Sequence, residues 1–238
     1  MNSVTLFFQA NWLNILAIFW FLLCFNGYMQ YARRRSYKSN DESPSLASSL
    51  HRYRYQWMLS VLTREMRIAD NAAIANLEKS VAFFASTTML ILAGLFTVLG
   101  STEKAIHFIE GLPFAIPTHR AEWEIKIMML IFIMVYAFFK FTWSLRQYGF
   151  VTIMVGGAPL PSENCSEEER HALANRMASM ASMAANNFNI GLRTYYFSIS
   201  MLTWFINPWL FILSCTLIVF ILFRREFKSS TLKLLTMK

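Results

Sequence analysis

The sequence predicts an all-α fold: a multi-pass transmembrane helical bundle with cytosolic amphipathic helices. Three observations lead there. Only 15% of the 238 residues are charged while 55% are apolar, against about 25% charged in soluble domains. The charges are clustered, which leaves several long uncharged runs. Lysine and arginine gather at one end of these runs, the asymmetry that sets membrane orientation.

The first run, Trp12 to Tyr31, holds twenty uncharged residues and ends in Arg33, Arg34 and Arg35. At ~1.5 Å per residue it covers ~30 Å, one hydrocarbon thickness. It lacks a basic n-region and is long enough to span, so it reads as a first membrane helix and not as a cleaved signal. Residues 39–49 read as a flexible connector. Residues 50–79 interleave Trp57, Met58, Val61, Leu62, Met66, Ile68 and Ile74 with arginines, the pattern of an interfacial amphipathic helix running into the next span.

Val81 to Leu99 is the second span. Ile127 to Leu145 is the third, interrupted only by Lys140. Gly156-Gly157-Ala158-Pro159 is loop. A cytosolic helix follows over residues 167–192. Ser166 and Glu169 make an S-x-x-E capping box, and the first turn carries three glutamates, which the helix dipole favours. The fourth apolar stretch, Tyr195 to Phe223, has 29 residues, or ~43 Å as one helix, more than a straight crossing needs. Asn207-Pro208 sits inside it. Proline removes a backbone donor and Asn-Pro favours a turn, so the stretch is either a re-entrant hairpin or a kinked helix.

Residues 1–32 contain no Lys or Arg, residues 33–79 contain nine, and residues 100–126 contain three. The N-terminus is therefore expected outside and residues 33–79 in the cytosol, in the cell's inner (plasma) membrane. The tail cations Arg224, Arg225, Lys228, Lys233 and Lys238 also want the cytosol, and the hairpin satisfies them where a single span does not. The net charge of +8 then points to anionic lipid headgroups as partners, with Arg33, Arg34, Arg35, Arg224 and Arg225 as lipid anchors. No folded basic domain presents these charges to nucleic acid.

Three stretches resemble the membrane proteins grouped as domain of unknown function 599. They are Arg67-Ile68-Ala69-Asp70 with Lys79-Ser80-Val81-Ala82-Phe83-Phe84-Ala85-Ser86-Thr87-Thr88, then Phe138-Phe139-Lys140-Phe141-Thr142-Trp143-Ser144-Leu145-Arg146-Gln147, then Arg224-Arg225-Glu226-Phe227. The resemblance covers most of residues 50–230. It implies a helical multi-pass protein and transfers no activity and no functional residue.

Lys140 is the sharpest single feature, because a charge inside a span usually faces a partner, a cavity or a pathway. Tyr136, Lys140, Ser144 and Gln147 share a helix face, with Arg146 at the cytosolic end. They read either as a cationic rim for anions, or as a snorkelling lysine or a structural Glu78–Lys140 pair. Tyr196, Ser200, Thr203 and Asn207 form a second polar stripe, which lines a cavity or bonds between helices. Met177, Met180 and Met183 offer thioethers suited to Cu(I), or a flexible apolar packing face. Cys24, Cys165 and Cys215 have no metal or disulfide spacing. His51, His107, His119 and His171 are scattered, and no catalytic or nucleotide-binding motif occurs. No cofactor, metal site or enzyme activity is expected. Two roles are: a self-associating, anion-permeable channel or carrier with Lys140, Ser144, Arg146, Gln147, Ser200, Thr203 and Asn207 as candidate lining, or a non-transporting assembly factor or subunit of a larger membrane complex.

Overall fold

The computed structural model describes residues 3–37, 45–111, 119–163 and 165–236. Among these residues all regular structure is helical: α1 (Ser3–Tyr37), α2 (Leu46–Leu62), α3 (Ile68–Gly100), α4 (Thr102–Glu110), α5 (Arg120–Gly156), α6 (Glu167–Trp204), α7 (Pro208–Phe227) and α8 (Ser230–Thr236). Segments Asn11–Arg35, Ile68–Gly100 and Arg120–Gly156 are long and apolar enough to cross a membrane. Their outward faces carry Phe19, Leu90, Phe132 and Phe139, all exposed. Rings that a soluble protein would bury point outward, as expected where hydrocarbon is the solvent.

The helix boundaries differ from the sequence expectation in three places. Residues 50–79 do not form one helix running into the second span. α2 starts at Leu46, because Ser45 and Ser48 cap each other reciprocally, and it stops at Thr63. The turn to α3 is held by side chains whose pairing apolar periodicity does not report. Arg67 donates to the carbonyls of Val61, Val155, Ala158 and Pro159. Asp70 accepts from Arg64 at 2.6 Å and from the Trp57 indole at 2.8 Å. The Arg67-to-Asp70 stretch thus ties the α2–α3 turn to the orphan carbonyls at the end of α5. Of the 39–49 connector, residues 39–44 lie outside the described residues.

The second difference is α6. It begins at Glu167 under the Ser166–Glu169 capping box and runs unbroken through residue 192 into the fourth apolar stretch. At 38 residues it is ~57 Å long, nearly twice a hydrocarbon thickness. The third is that α5 continues past Leu145 to Gly156. The chain reverses after Trp204. Asn207 has extended backbone and its side chain accepts from the Trp209 amide, with Pro208 opening α7, where a proline costs no helical hydrogen bond.

Contacts fix the directions. Trp12 meets Trp209, Trp20 donates to Thr216 and Tyr31 meets Phe227, so α1 and α7 run parallel. Phe84 stacks on Phe141 and Thr152 donates to Glu78, so α3 and α5 are antiparallel. Lys126 lies over Trp204 and Asn187 donates to Gln147, so α6 is antiparallel to α5. α6 is the axis, packed on α5, α2 and α7.

Two apolar cores stack along α6. One joins α1, α7, the first half of α5 and the end of α6, around Phe21, Phe197, Trp204 and Phe211. The other joins α2, the first half of α3, the second half of α5 and the alanine-rich half of α6, around Met58, Ile74, Phe141 and Met177. Small residues let α5 approach α6 closely. At Gly191 an added Cβ would run into the Phe141 ring.

Candidate anion-binding cleft

A polar cleft opens where the two cores meet, at the end of the bundle that carries the arginines. Its larger cavity, about 380 Å³, lies between the end of α1, the start of α2, the middle of α5 and α6, and the end of α7. Arg33, Lys140, Arg193 and Glu226 line it. A smaller cavity of about 130 Å³ adjoins it and shares Ala47, Asn189, Arg193 and Glu226, adding Arg54, Arg225, Tyr28 and Tyr196. Five cations therefore line the two cavities against one carboxylate.

Each cation is placed by the local fold. Arg193 donates to Glu226 at 3.0 Å and lies over the Tyr28 ring at 5.5 Å. Arg225 donates to the Tyr196 hydroxyl at 2.7 Å. Lys140 lies over the Tyr136 ring at 5.4 Å. Aromatic faces thus carry three of the cations where water is scarce. On α2, Arg54 reaches Ser182 on α6, which also bonds to His51 at 2.9 Å. Burial lowers the pKa of Arg54 below the usual guanidinium value. Burial and then Arg54 lower that of His51, because both disfavour a charged imidazole.

Lys140 does not pair with Glu78. Glu78 accepts from Thr152, twelve residues or ~18 Å further along α5. The proposed pair fails because α5 continues past Leu145 to Gly156, so the α5 residue that meets Glu78 is Thr152 and not Lys140. Ser144 and Gln147 do not line the cleft either. Ser144 donates to the Ala184 carbonyl and Gln147 accepts from Asn187, both inside the α5–α6 contact. Arg146 is exposed on another side, over Phe150.

The second stripe is consumed by the hairpin. Ser200 bonds to Cys215, Thr203 bonds to Ser214 and Asn207 caps α7. Polar groups in an apolar layer satisfy each other across helices here. The methionine row does not converge, since each step of three residues turns ~60° short of a full circle. Met177 is fully buried while Met183 is exposed. No cluster of three His, Cys, Asp or Glu suited to a metal occurs among the described residues.

Arg193, Tyr28, Asn189 and Lys126 were not singled out as site residues in the sequence. Arg193 had a visible signal, the last cation before the fourth stretch with Glu226 beyond it. Lys126 had one too, a lysine at the edge of a span. It is buried, over the Trp204 ring at 5.3 Å. Trp204 in turn donates to Asn14, which donates to Glu122.

Apolar helices with outward rings and a basic cleft at one end define an integral membrane protein. The chain belongs to the family described as "Protein of unknown function, DUF599", whose model matches residues 16–231. No curated protein and no solved structure matches it.

Proposed function

We propose that this protein is a non-enzymatic inner-membrane carrier that takes up small anions from the cytosolic side. The observation that carries this reading is the cleft: Arg33, Lys140 and Arg193 face one cavity with a single carboxylate, Glu226. Such an excess of fixed positive charge in a concave, partly dry site attracts anions.

The opposite end of the bundle favours a carrier over an open channel. There Trp123 packs on Phe205, Trp204 stacks on Phe211 and Lys126 is buried. A vestibule open at one end and closed at the other is the inward-facing half of an alternating-access cycle. In this orientation the N-terminus is outside and residues 33–79 are cytosolic. The C-terminal cations then share the cytosolic side, since Arg35 lies over Phe227, and they join Arg33, Arg34 and Arg35 as anchors for anionic headgroups.

Self-association belongs to the same reading. α3 packs on α5 and α4 and touches α6 through Phe84 and Thr88 and α2 through Asp70, which leaves its other side open. Ser80, Thr87 and Gly94 recur every seven residues on its outward side, with open space around Gly94. Small residues on a lipid-facing helix support close packing against a second copy.

The deciding experiment is anion flux into liposomes holding the purified protein. Flux above empty liposomes, suppressed by Lys140→Glu, is the expected result; flux unchanged by that substitution removes the cleft from the pathway. The assembly-factor reading has one supporting observation. Met66 and Ile68 flank Arg67, Ile153 and Leu160 flank the carbonyls it binds, and all four are exposed. Electrically silent liposomes together with a stoichiometric co-purifying partner would favour it.

A further inference from the structure

Resting on the anion-binding reading, we infer that the cleft is built for a phosphate-bearing anion, with Arg193 and Tyr28 as its inner contacts and Lys140 and Arg33 at its mouth. Charge argues first. The larger cavity holds three cations and one carboxylate, which leaves two positive charges unbalanced. A carboxylate or halide neutralises one. A phosphate monoester carries about −1.5 to −2 at neutral pH and matches both.

Geometry argues second. Guanidinium forks match tetrahedral oxyanions with paired N–H donors. Glu226 takes one edge of Arg193 through Nη2 and the Tyr28 ring covers its face, so its orientation is fixed before any ligand arrives. The Tyr28 hydroxyl is the independent sign of a missing partner. Tyr28 is 5% exposed and lines the smaller cavity, and its hydroxyl has no hydrogen-bond partner in the structure. A buried hydroxyl ordinarily has one, and a phosphate oxygen that reaches past Arg193 into the smaller cavity would supply it.

Size argues third. About 380 Å³ lies at the low end of the ~300–1,000 Å³ of small-molecule sites, more than a bare anion needs. Met29, Tyr136 and Ile190 give part of the wall apolar character, so the anion carries an organic group. That chemistry has two sources, the monoester headgroup of phosphatidic acid or a soluble phosphate ester.

The test uses the full chain in mild detergent and in phosphatidylcholine nanodiscs. Calorimetry compares glycerol 3-phosphate and inorganic phosphate with acetate and chloride. Native mass spectrometry compares retention of phosphatidic acid with that of phosphatidylcholine. The expected result is binding of the phosphate compounds at least tenfold tighter than acetate. It should fall about tenfold in Tyr28→Phe and in Lys140→Met, neither of which breaks an ion pair. Retained phosphatidic acid that Lys140→Met releases identifies the lipid source. Glycerol 3-phosphate binding without retained lipid identifies the soluble source. Equal affinity for acetate, chloride and phosphate overturns this inference and leaves anion binding standing. No binding of any anion overturns both.

Discussion

Arg193 on α6 donates to Glu226 on α7 at 3.0 Å, and their side chains are only 11% and 15% exposed. This pair closes the α6–α7 hairpin at the end opposite Asn207 and lines both cavities of the cleft. Glu226→Gln should cost about 2 kcal/mol, because it leaves a guanidinium half-desolvated without its carboxylate. Thermal unfolding in detergent measures it. An unchanged melting temperature would show that water already compensates Arg193.

Gly191 sits against Phe141, whose ring is fully buried and held by Phe84, Phe188 and Tyr195. Alanine normally improves a helix by about 1 kcal/mol over glycine. Here the added methyl has nowhere to go, so Gly191→Ala should destabilise, and Gly191→Leu should cost about 3 kcal/mol or prevent folding. A gain in stability from Gly191→Ala would mean that the α5–α6 contact is looser than drawn.

Arg67 makes four hydrogen bonds, one to the Val61 carbonyl at the end of α2 and three to the Val155, Ala158 and Pro159 carbonyls around the α5 terminus. A lysine has a point-like head and cannot reach all four. Arg67→Lys should lose about 2–3 kcal/mol and loosen the loop after α5. Faster amide exchange at residues 155–160 is the readout, and protection equal to wild type there would refute the tie.

His51 has its pKa lowered from 6.5 by burial and by Arg54. The unfolded chain therefore binds its proton first as pH falls. Through the window from about 6.5 down to the folded value, stability decreases with falling pH, and the full penalty is present below it. Acidification should weaken the α2–α6 contact, and His51→Gln should flatten the slope. A melting temperature whose pH dependence is identical in wild type and His51→Gln would contradict this.

Lys126 is buried over Trp204, and no carboxylate lies within ion-pair distance among the described residues. The ring face offsets only part of the desolvation of an ammonium group. Lys126→Met keeps volume and removes the charge, so the melting temperature should stay or rise. A loss above about 2 kcal/mol would instead reveal an essential polar partner.

The candidate site was only partly legible. Lys140, Arg33 and Arg225 stood out because a charge in or beside an apolar run is anomalous without any partner being known. Ser144, Gln147, Ser200 and Thr203 looked equally promising by spacing. Spacing gives the face of a helix and says nothing of what packs against it, and all four are spent on neighbouring helices.

The sequence alone determined the membrane class, the family and the three long apolar helices, because hydrocarbon solvation acts on each segment by itself. It also determined the α6 cap, since Ser166 and Glu169 are three residues apart. Helix pairing decided the rest. That Arg193, Lys140 and Arg33 surround one cavity follows from α1, α5 and α7 running one way and α3 and α6 the other, and that Glu78 lies far from Lys140 follows from α5 reaching past Leu145 to Gly156. Such contacts join residues far apart in the chain, and their energy depends on the geometry of both partners, which no local pattern records.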